Sequence, residues 1–388
     1  MRKIVAAIVC VLVIAAPAIG RSTGVPESSA RTSARWNVPI DSRSEDQWVT
    51  TRRNRVFTLR SGHVVALDRA SGRLVWQSRG VVQSRPALGG DAIYSVIEHG
   101  TIVVLDANTG LERGRRAMKP PATAIPTLLS AAFGAVAIYP EGMHARIDGL
   151  QGASHPLWTR RIRFDAAARP FSLGGNAIGF LSPMHVDILI LDARTGRALA
   201  ATDGVYGIVG SDGRYVWLGV GGGGLKGLDL FTGKTIAFHN SIVQGAVRVE
   251  HGIAVAVVDG RLMRMDLASE ASVPLIIDGR WIGGPANGQL FIERGDGVYL
   301  QPLAGGRARR IATHVTDSPL VTADRTTGYV SAIDGTVDVV DLRDGSVVAR
   351  WGTGCRIFEG IARAADTTLV HCDRSATDSR LLAFDSVR

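Results

Sequence analysis

The sequence predicts an all-β fold, a β-propeller of four-stranded antiparallel blades, and three observations predict it. First, the stretch "VVALDRASGRLVWQ" at 64–77, an apolar run, an Asp, a turn and a Trp, recurs along the chain at intervals of roughly 40 residues. Second, each interval holds several short apolar runs separated by turn residues, as one small sheet per repeat requires. Third, the two ends of the chain carry complementary fragments of one repeat.

Taken in order, the chain opens with Arg2 and Lys3 ahead of an apolar run from Ile4 to Ile19. "APAIG" follows, with Ala18 and Gly20 at the −3 and −1 positions of a cut after Gly20. This layout predicts a secretory signal peptide over 1–20. The rival reading is an uncleaved N-terminal anchor, against which stand the short run and Pro17. Cys10 follows bulky Val9 inside the apolar stretch, which does not fit a lipoprotein. Residues 21–33, "RSTGVPESSARTS", read as a polar linker, and 34–388 as a single propeller domain.

Clear copies of the repeat are "IVVLDANTG" (102–110), "ILILDARTG" (188–196), "LKGLDLFTG" (225–233) and "VDVVDLRDG" (337–345). Weaker copies are "HARIDGLQG" (144–152), with Asp148, and "LMRMDLASE" (262–270), with Asp266. "VYLQPLAGG" (298–306) lacks the acid and places Gln301 in register. Counting every period gives nine units. Rings of this repeat type more often hold seven or eight, so the expectation is seven to nine blades, with eight as the middle value.

The repeated acids and glycines have a turn-building chemistry. Asp68 ends a strand, and its carboxylate can accept hydrogen bonds from the amides of the turn and from the hydroxyl three residues on. Gly72 supplies a left-handed conformation that a residue with a β-carbon adopts at a cost. The pairs Asp106 and Gly110, Asp192 and Gly196, Asp229 and Gly233, and Asp341 and Gly345 repeat that logic. They are structural turn residues rather than catalytic candidates. The chain then reverses into "RLVWQ", whose Trp76 is expected to cover the neighbouring sheet, as are Trp158, Phe238 and Trp351.

At the C-terminus "RLLAFDSVR" is a third strand with Asp385 but no turn and no fourth strand. Near the N-terminus "ARWNVPI" (34–40) resembles a fourth strand with Trp36 and no preceding turn. Pairing the two would complete one sheet, close the ring and remove a free edge.

Without the leader, Cys355 and Cys372 are the only cysteines, and two cysteines in an oxidising compartment predict a disulfide. A redox-active pair would need closer spacing. The net charge is +9, and all but four of the 44 basic residues are arginine, dispersed along the chain. Clusters occur at "RRNR" (52–55), "RGRR" (113–116), "RRIR" (160–163) and "RARR" (307–310), the last three on outermost strands. Two readings stand: charged edges that oppose aggregation, or a basic rim for anionic lipid or cell-wall polymer. Without aromatic interleaving, nucleic acid is not an expected partner.

The pattern "ALDxxTGxxxW", carried by residues 66–76 and its copies, resembles the pyrroloquinoline-quinone-type propeller repeat. That repeat occurs in quinoprotein alcohol and glucose dehydrogenases and in non-catalytic envelope proteins, including the propeller subunit of the outer-membrane β-barrel assembly machinery. The length resembles the non-catalytic group. The dehydrogenases imply a quinone slot, a Ca²⁺ ion, a catalytic Asp and, in alcohol dehydrogenases, adjacent cysteines. This chain has no adjacent cysteines and no evident calcium cluster, so no cofactor is expected.

Other motifs fail on spacing. "FTGKT" (231–235) has Leu228 where a phosphate-binding loop needs its first Gly. "VGGGGLKG" (220–227) lies between two strands of one unit, and "RGD" (294–296) in a hairpin turn. The histidines show no metal-ligand spacing, and no G-x-S-x-G elbow is present. The expectation is an exported, monomeric, non-catalytic scaffold for a protein or an anionic envelope component, peripheral membrane association included. The alternatives are a quinone- and Ca²⁺-dependent oxidoreductase and a small-molecule or sugar sensor using the central funnel.

Overall fold

Apolar runs of about six residues joined by tight turns leave each strand one natural partner, the run before it. The first complete repeat follows that rule: Thr50–Arg52, Arg55–Arg60, His63–Asp68 and Leu74–Gln77 pair antiparallel in chain order. The structure, a computed structural model, describes residues 32–41, 48–117, 125–153, 155–163, 169–174, 177–182, 187–211, 214–220, 225–232, 234–238, 243–250, 252–266, 269, 271–312, 321–324 and 326–387. The predicted leader and most of the predicted linker lie outside these residues.

The same meander recurs in second to eighth sheets at 87–116, 127–163, 169–203, 205–238, 243–274, 280–312 and 321–352. The ninth takes three strands from the C-terminus, Ile357–Ala364, Thr367–Ser375 and Asp378–Asp385, and its fourth, Trp36–Ile40, from the N-terminus. Trp36 pairs with Ala383 and Ile40 with Ser379. Among the described residues there are nine sheets, and the only helix is one turn at Glu98–Gly100.

The core lies between the sheets. In His63–Asp68 the four middle residues are all buried. Val64 and Ala66 pack toward the second sheet with Ile93, Val103 and Leu105. Val65 and Leu67 pack the other way, against Trp36, Leu369 and Leu381 of the ninth sheet. A continuous apolar run is what a strand buried on both faces needs, because alternate side chains serve different neighbours. Seven further clusters join each remaining pair of consecutive sheets.

Pairing corrects three of the sequence assignments. In clear copies the turn acid pairs with the first residue of the second strand, as Asp68 does with Arg55 and Asp341 with Thr327. Asp148 instead pairs with Ala137, three residues deeper than Gly134, and is fully buried. Gln301 pairs with Leu290, while Pro302 occupies the acid's place opposite Gln289. Thr32 and Ser33, assigned to the linker, pair in parallel with Trp351 and Gly352 and give the eighth sheet a fifth strand.

Candidate binding face

The turn acids are consumed by their own turns. Asp68 Oδ1 accepts from the Ser71 amide at 3.0 Å and the Ser71 hydroxyl at 2.8 Å. Asp106 Oδ1 accepts from the Asn108 and Thr109 amides, both at 2.8 Å, and from the Thr109 hydroxyl. Asp192 bonds Thr195 in the same way, Asp229 accepts from the Phe231 and Thr232 amides, and Asp341 accepts from the Arg343 amide. Gly72, Gly110, Gly196 and Gly345 all have φ near +70° and donate their amides back to the acid's carbonyl. Gly233 lies outside the described residues.

These turns also seat the tryptophan of the preceding sheet. Trp76 Nε1 donates to Ala107 O at 3.3 Å, and Trp158 Nε1 donates to Ala193 O at 2.9 Å. Trp36 of the ninth sheet does the same to Arg69 O of the first, at 2.8 Å. A β-carbon on Gly72 would stand 2.7 Å from the Trp36 ring, so the indole requires glycine there. Where the outer strand lacks Trp, Arg309 donates to Asp344 O of the next turn. Trp351 stacks on Phe384 with ring centroids 4.6 Å apart. The side chain of Phe238 lies outside the described residues.

Burial raises the Asp106 carboxyl, but the Thr109 amide, Arg113 and the Thr109 hydroxyl outweigh it and hold the pKa at about 2. The native value lies below the unbound 3.8, so the ionised group stabilises the fold above that pH and the contribution is lost as pH falls through about 2. Thermal unfolding should therefore show Asp106→Asn melting below wild type at neutral pH, with the gap narrowing toward pH 2. A gap independent of pH would contradict this.

Several arginines of the basic clusters hold acids of their own or a neighbouring sheet. Arg113 pairs with Asp91 at 2.8 Å and with Asp106, Arg115 with Glu112 at 2.7 Å, and Arg116 with Asp148 at 3.0 Å. Arg161 meets Glu141 at 3.5 Å, Arg310 meets Asp296 at 3.2 Å, and in the earlier hairpin Arg55 meets Asp68 at 3.3 Å. Asp296 of the "RGD" turn also accepts from the Tyr299 hydroxyl at 2.6 Å. The clusters are thus partly paired, with Arg163 among those left exposed.

Cys355 and Cys372 are joined, with Cα atoms 5.9 Å apart. The bond ties the connection entering the ninth sheet to that sheet's second strand, and in the chain-entropy model it stabilises by about 3 kcal/mol. Among the described residues no group of three or more His, Cys, Asp or Glu side chains gathers as a metal site, and no helix is long and apolar enough to cross a membrane. The "VGGGGLKG" loop joins Tyr215–Val220 to Leu225–Asp229, and 221–224 lie outside the described residues.

Sequence patterns did not single out the exposed apolar side chains. In a meander, the turn between second and third strands and the connection to the next sheet fall at the same end. That end carries Ile276, 91% exposed, between the sixth and seventh sheets, and Ile333, 69% exposed, in the eighth. Ile357 at the start of the ninth sheet, Met143 in the third, and Val81 and Ile125 in two further connections are there too. The opposite end carries Phe231 and Leu111. Three exposed isoleucines thus share one end of the assembly, and apolar side chains gathered on one surface are a mark of interaction sites.

Sequential four-stranded meanders with cores between their broad faces define a β-propeller. The model of the PQQ-type repeat family described as outer membrane protein assembly factor BamB matches residues 28–273, and the chain belongs to that family. Comparison with curated proteins gives no match. Among solved structures, BamB from Moraxella catarrhalis is similar at 16% identity, covering 91% of this chain and 97% of that one, with a TM-score of 0.52. Sqt1 from Saccharomyces cerevisiae is similar at 11% identity over 93% of this chain and 100% of that one, also with a TM-score of 0.52. A quinohemoprotein alcohol dehydrogenase from Comamonas testosteroni is similar at 12% identity, covering 92% and 77%, with a TM-score of 0.50. At such identities the likeness concerns the fold.

Proposed function

We propose that the protein is an exported, non-catalytic propeller whose nine sheets form one closed ring and which binds a protein partner on its isoleucine-bearing face. Closure is supported by Trp36 seated on the Arg69–Gly72 turn, by the core shared between the ninth and first sheets, and by the 3.3 Å contact of Arg69 with Asp366. A binding role is supported by membership in a family described as an assembly factor. The repeat's acids are engaged in turns, which leaves the loops as the variable surface. One observation carries the choice of face: Ile276, Ile333 and Ile357 stand exposed at the same end of the seventh to ninth sheets. A protein fits this better than an anionic polymer, because five of the outer-strand arginines already hold carboxylates.

The partner is first identified by crosslinking in the native envelope and then purified for binding measurements. The variant Ile276→Asp/Ile333→Asp should weaken binding at least about tenfold, the scale of losing two apolar anchor contacts. Phe231→Asp, on the opposite end, should leave affinity unchanged. Equal affinity in both variants, or loss only with Phe231→Asp, would overturn the assignment of this face.

A further inference from the structure

The first strands of the sixth and seventh sheets, like those of the fourth, fifth and ninth, slip in register against their second strands. The first strands of adjacent sheets lie against one another, which places them on the inside of the assembly. In the sixth sheet, Val243–Glu250 slips against Ile253–Val258 between Gln244 and Arg248. In the seventh, Arg280–Ala286 slips against Gln289–Arg294 on both sides of Gly283. Such bulges bend a strand and re-aim its side chains, and they are enriched beside functional sites. Gly284 has φ +84°, and a β-carbon there would meet Gln289 O at 2.6 Å.

These distortions border a cavity of about 290 Å³, walled by Arg248, Gly283, Gly284, Pro285 and Thr322. Val247 is fully buried, whereas Arg248 beside it is exposed. Arg248 makes no ion pair among the described residues, whereas Arg113, Arg115, Arg116, Arg161 and Arg310 on the outer strands do. The acid on its own strand, Glu250, is directed instead to the amides of Asn287 and, at 2.9 Å, Gly288. A second cavity of about 520 Å³ shares Thr322 and Ala323 and carries Arg363 on its far wall.

An arginine without a carboxylate, on the wall of a recess that Thr322 also lines, suits a paired-oxygen acceptor. The planar guanidinium donates two parallel hydrogen bonds to such a group. We infer that this recess binds a small anion through a carboxylate or phosphate group held by Arg248. The site is separate from the isoleucine-bearing face, so its fate does not depend on the partner reading.

Isothermal titration of the full mature protein with citrate and with inorganic phosphate, at constant ionic strength and with chloride as the control, tests it. At least one of the two anions should bind saturably, and the tighter identifies the preferred acid group. Arg248→Gln should weaken that binding at least about tenfold. Arg163→Gln, at an exposed outer-strand arginine, should leave it unchanged. Unfolding curves matching wild type establish that both variants are folded. No saturable binding of either anion, undiminished binding by Arg248→Gln, or equal loss in both variants would overturn the inference.

Discussion

Replacing Trp36 with alanine is expected to lower the unfolding free energy by about 3–5 kcal/mol, the range for emptying a large aromatic site in a core. Trp36 is buried and packs with Val56 and Val65 of the first sheet and Leu369 and Leu381 of the ninth. Its N–H satisfies the Arg69 carbonyl, and its ring lies over Gly72. The loss therefore combines cavity, hydrogen bond and the seam between the chain's two ends. Trp36→Phe should be milder, because much of the apolar contact survives and roughly 1 kcal/mol of hydrogen bonding goes. Urea unfolding monitored by circular dichroism measures both. A change below about 1 kcal/mol for Trp36→Ala would mean that the N-terminal strand contributes little to the core.

Asp148→Ala should cost a similar amount, about 3–5 kcal/mol, for an electrostatic reason. Asp148 is 0% exposed and lies 3.0 Å from Arg116 of the second sheet and 3.8 Å from Arg146 of its own. Thr159 donates to its other oxygen at 2.8 Å. The arginine contacts compensate charge without ideal hydrogen-bond alignment at Oδ2. Removing the acid leaves two half-buried cations without the carboxylate they share, with Arg146 also held over the Tyr139 ring at 4.3 Å. In a double-mutant cycle, Arg116→Met should recover part of the loss when combined with Asp148→Ala. Strictly additive losses would show that the pair does not couple the two sheets.

The contrast between Asp148 and Asp106 shows what was legible in the residues and what was not. The run of apolar residues, acid, hydroxyl and glycine is local, so the turns around Asp68, Asp106, Asp192 and Asp341 could be read from spacing and chemistry alone. So could the pairing of "ARWNVPI" with the C-terminal strands, because each end held the part the other lacked. Asp148 sits at the expected interval, but Gly134–Glu141 and His144–Leu150 form a longer hairpin, and pairing carries the acid into the interior. Interval counts residues and ignores register. The arginine clusters were visible as charge, yet most of their acids stand on other strands, some in a neighbouring sheet. The proposed binding face was the least legible, since Ile276 and Ile333 look like core residues until the fold places them in turns. Arg248 gave no signal either, because a bulge is a departure from pairing that no local motif announces.

The central claim is that the ninth sheet packs against the first to close the ring. It is tested most directly by the distance between them. Arg69, partly buried, and the exposed Asp366 form a solvent-accessible contact across that seam, of a kind worth about 0–1 kcal/mol, so replacing both is tolerable. With Arg69→Cys/Asp366→Cys in a chain of residues 21–388, which leaves out Cys10, nitroxide labels on the two new thiols report the separation by pulsed electron resonance, Cys355 and Cys372 being bonded. The account predicts a single narrow distribution at the shortest range of the method. An open row of nine sheets stacked about 10 Å apart would place the labels on the order of 80 Å from each other, and that result would contradict it.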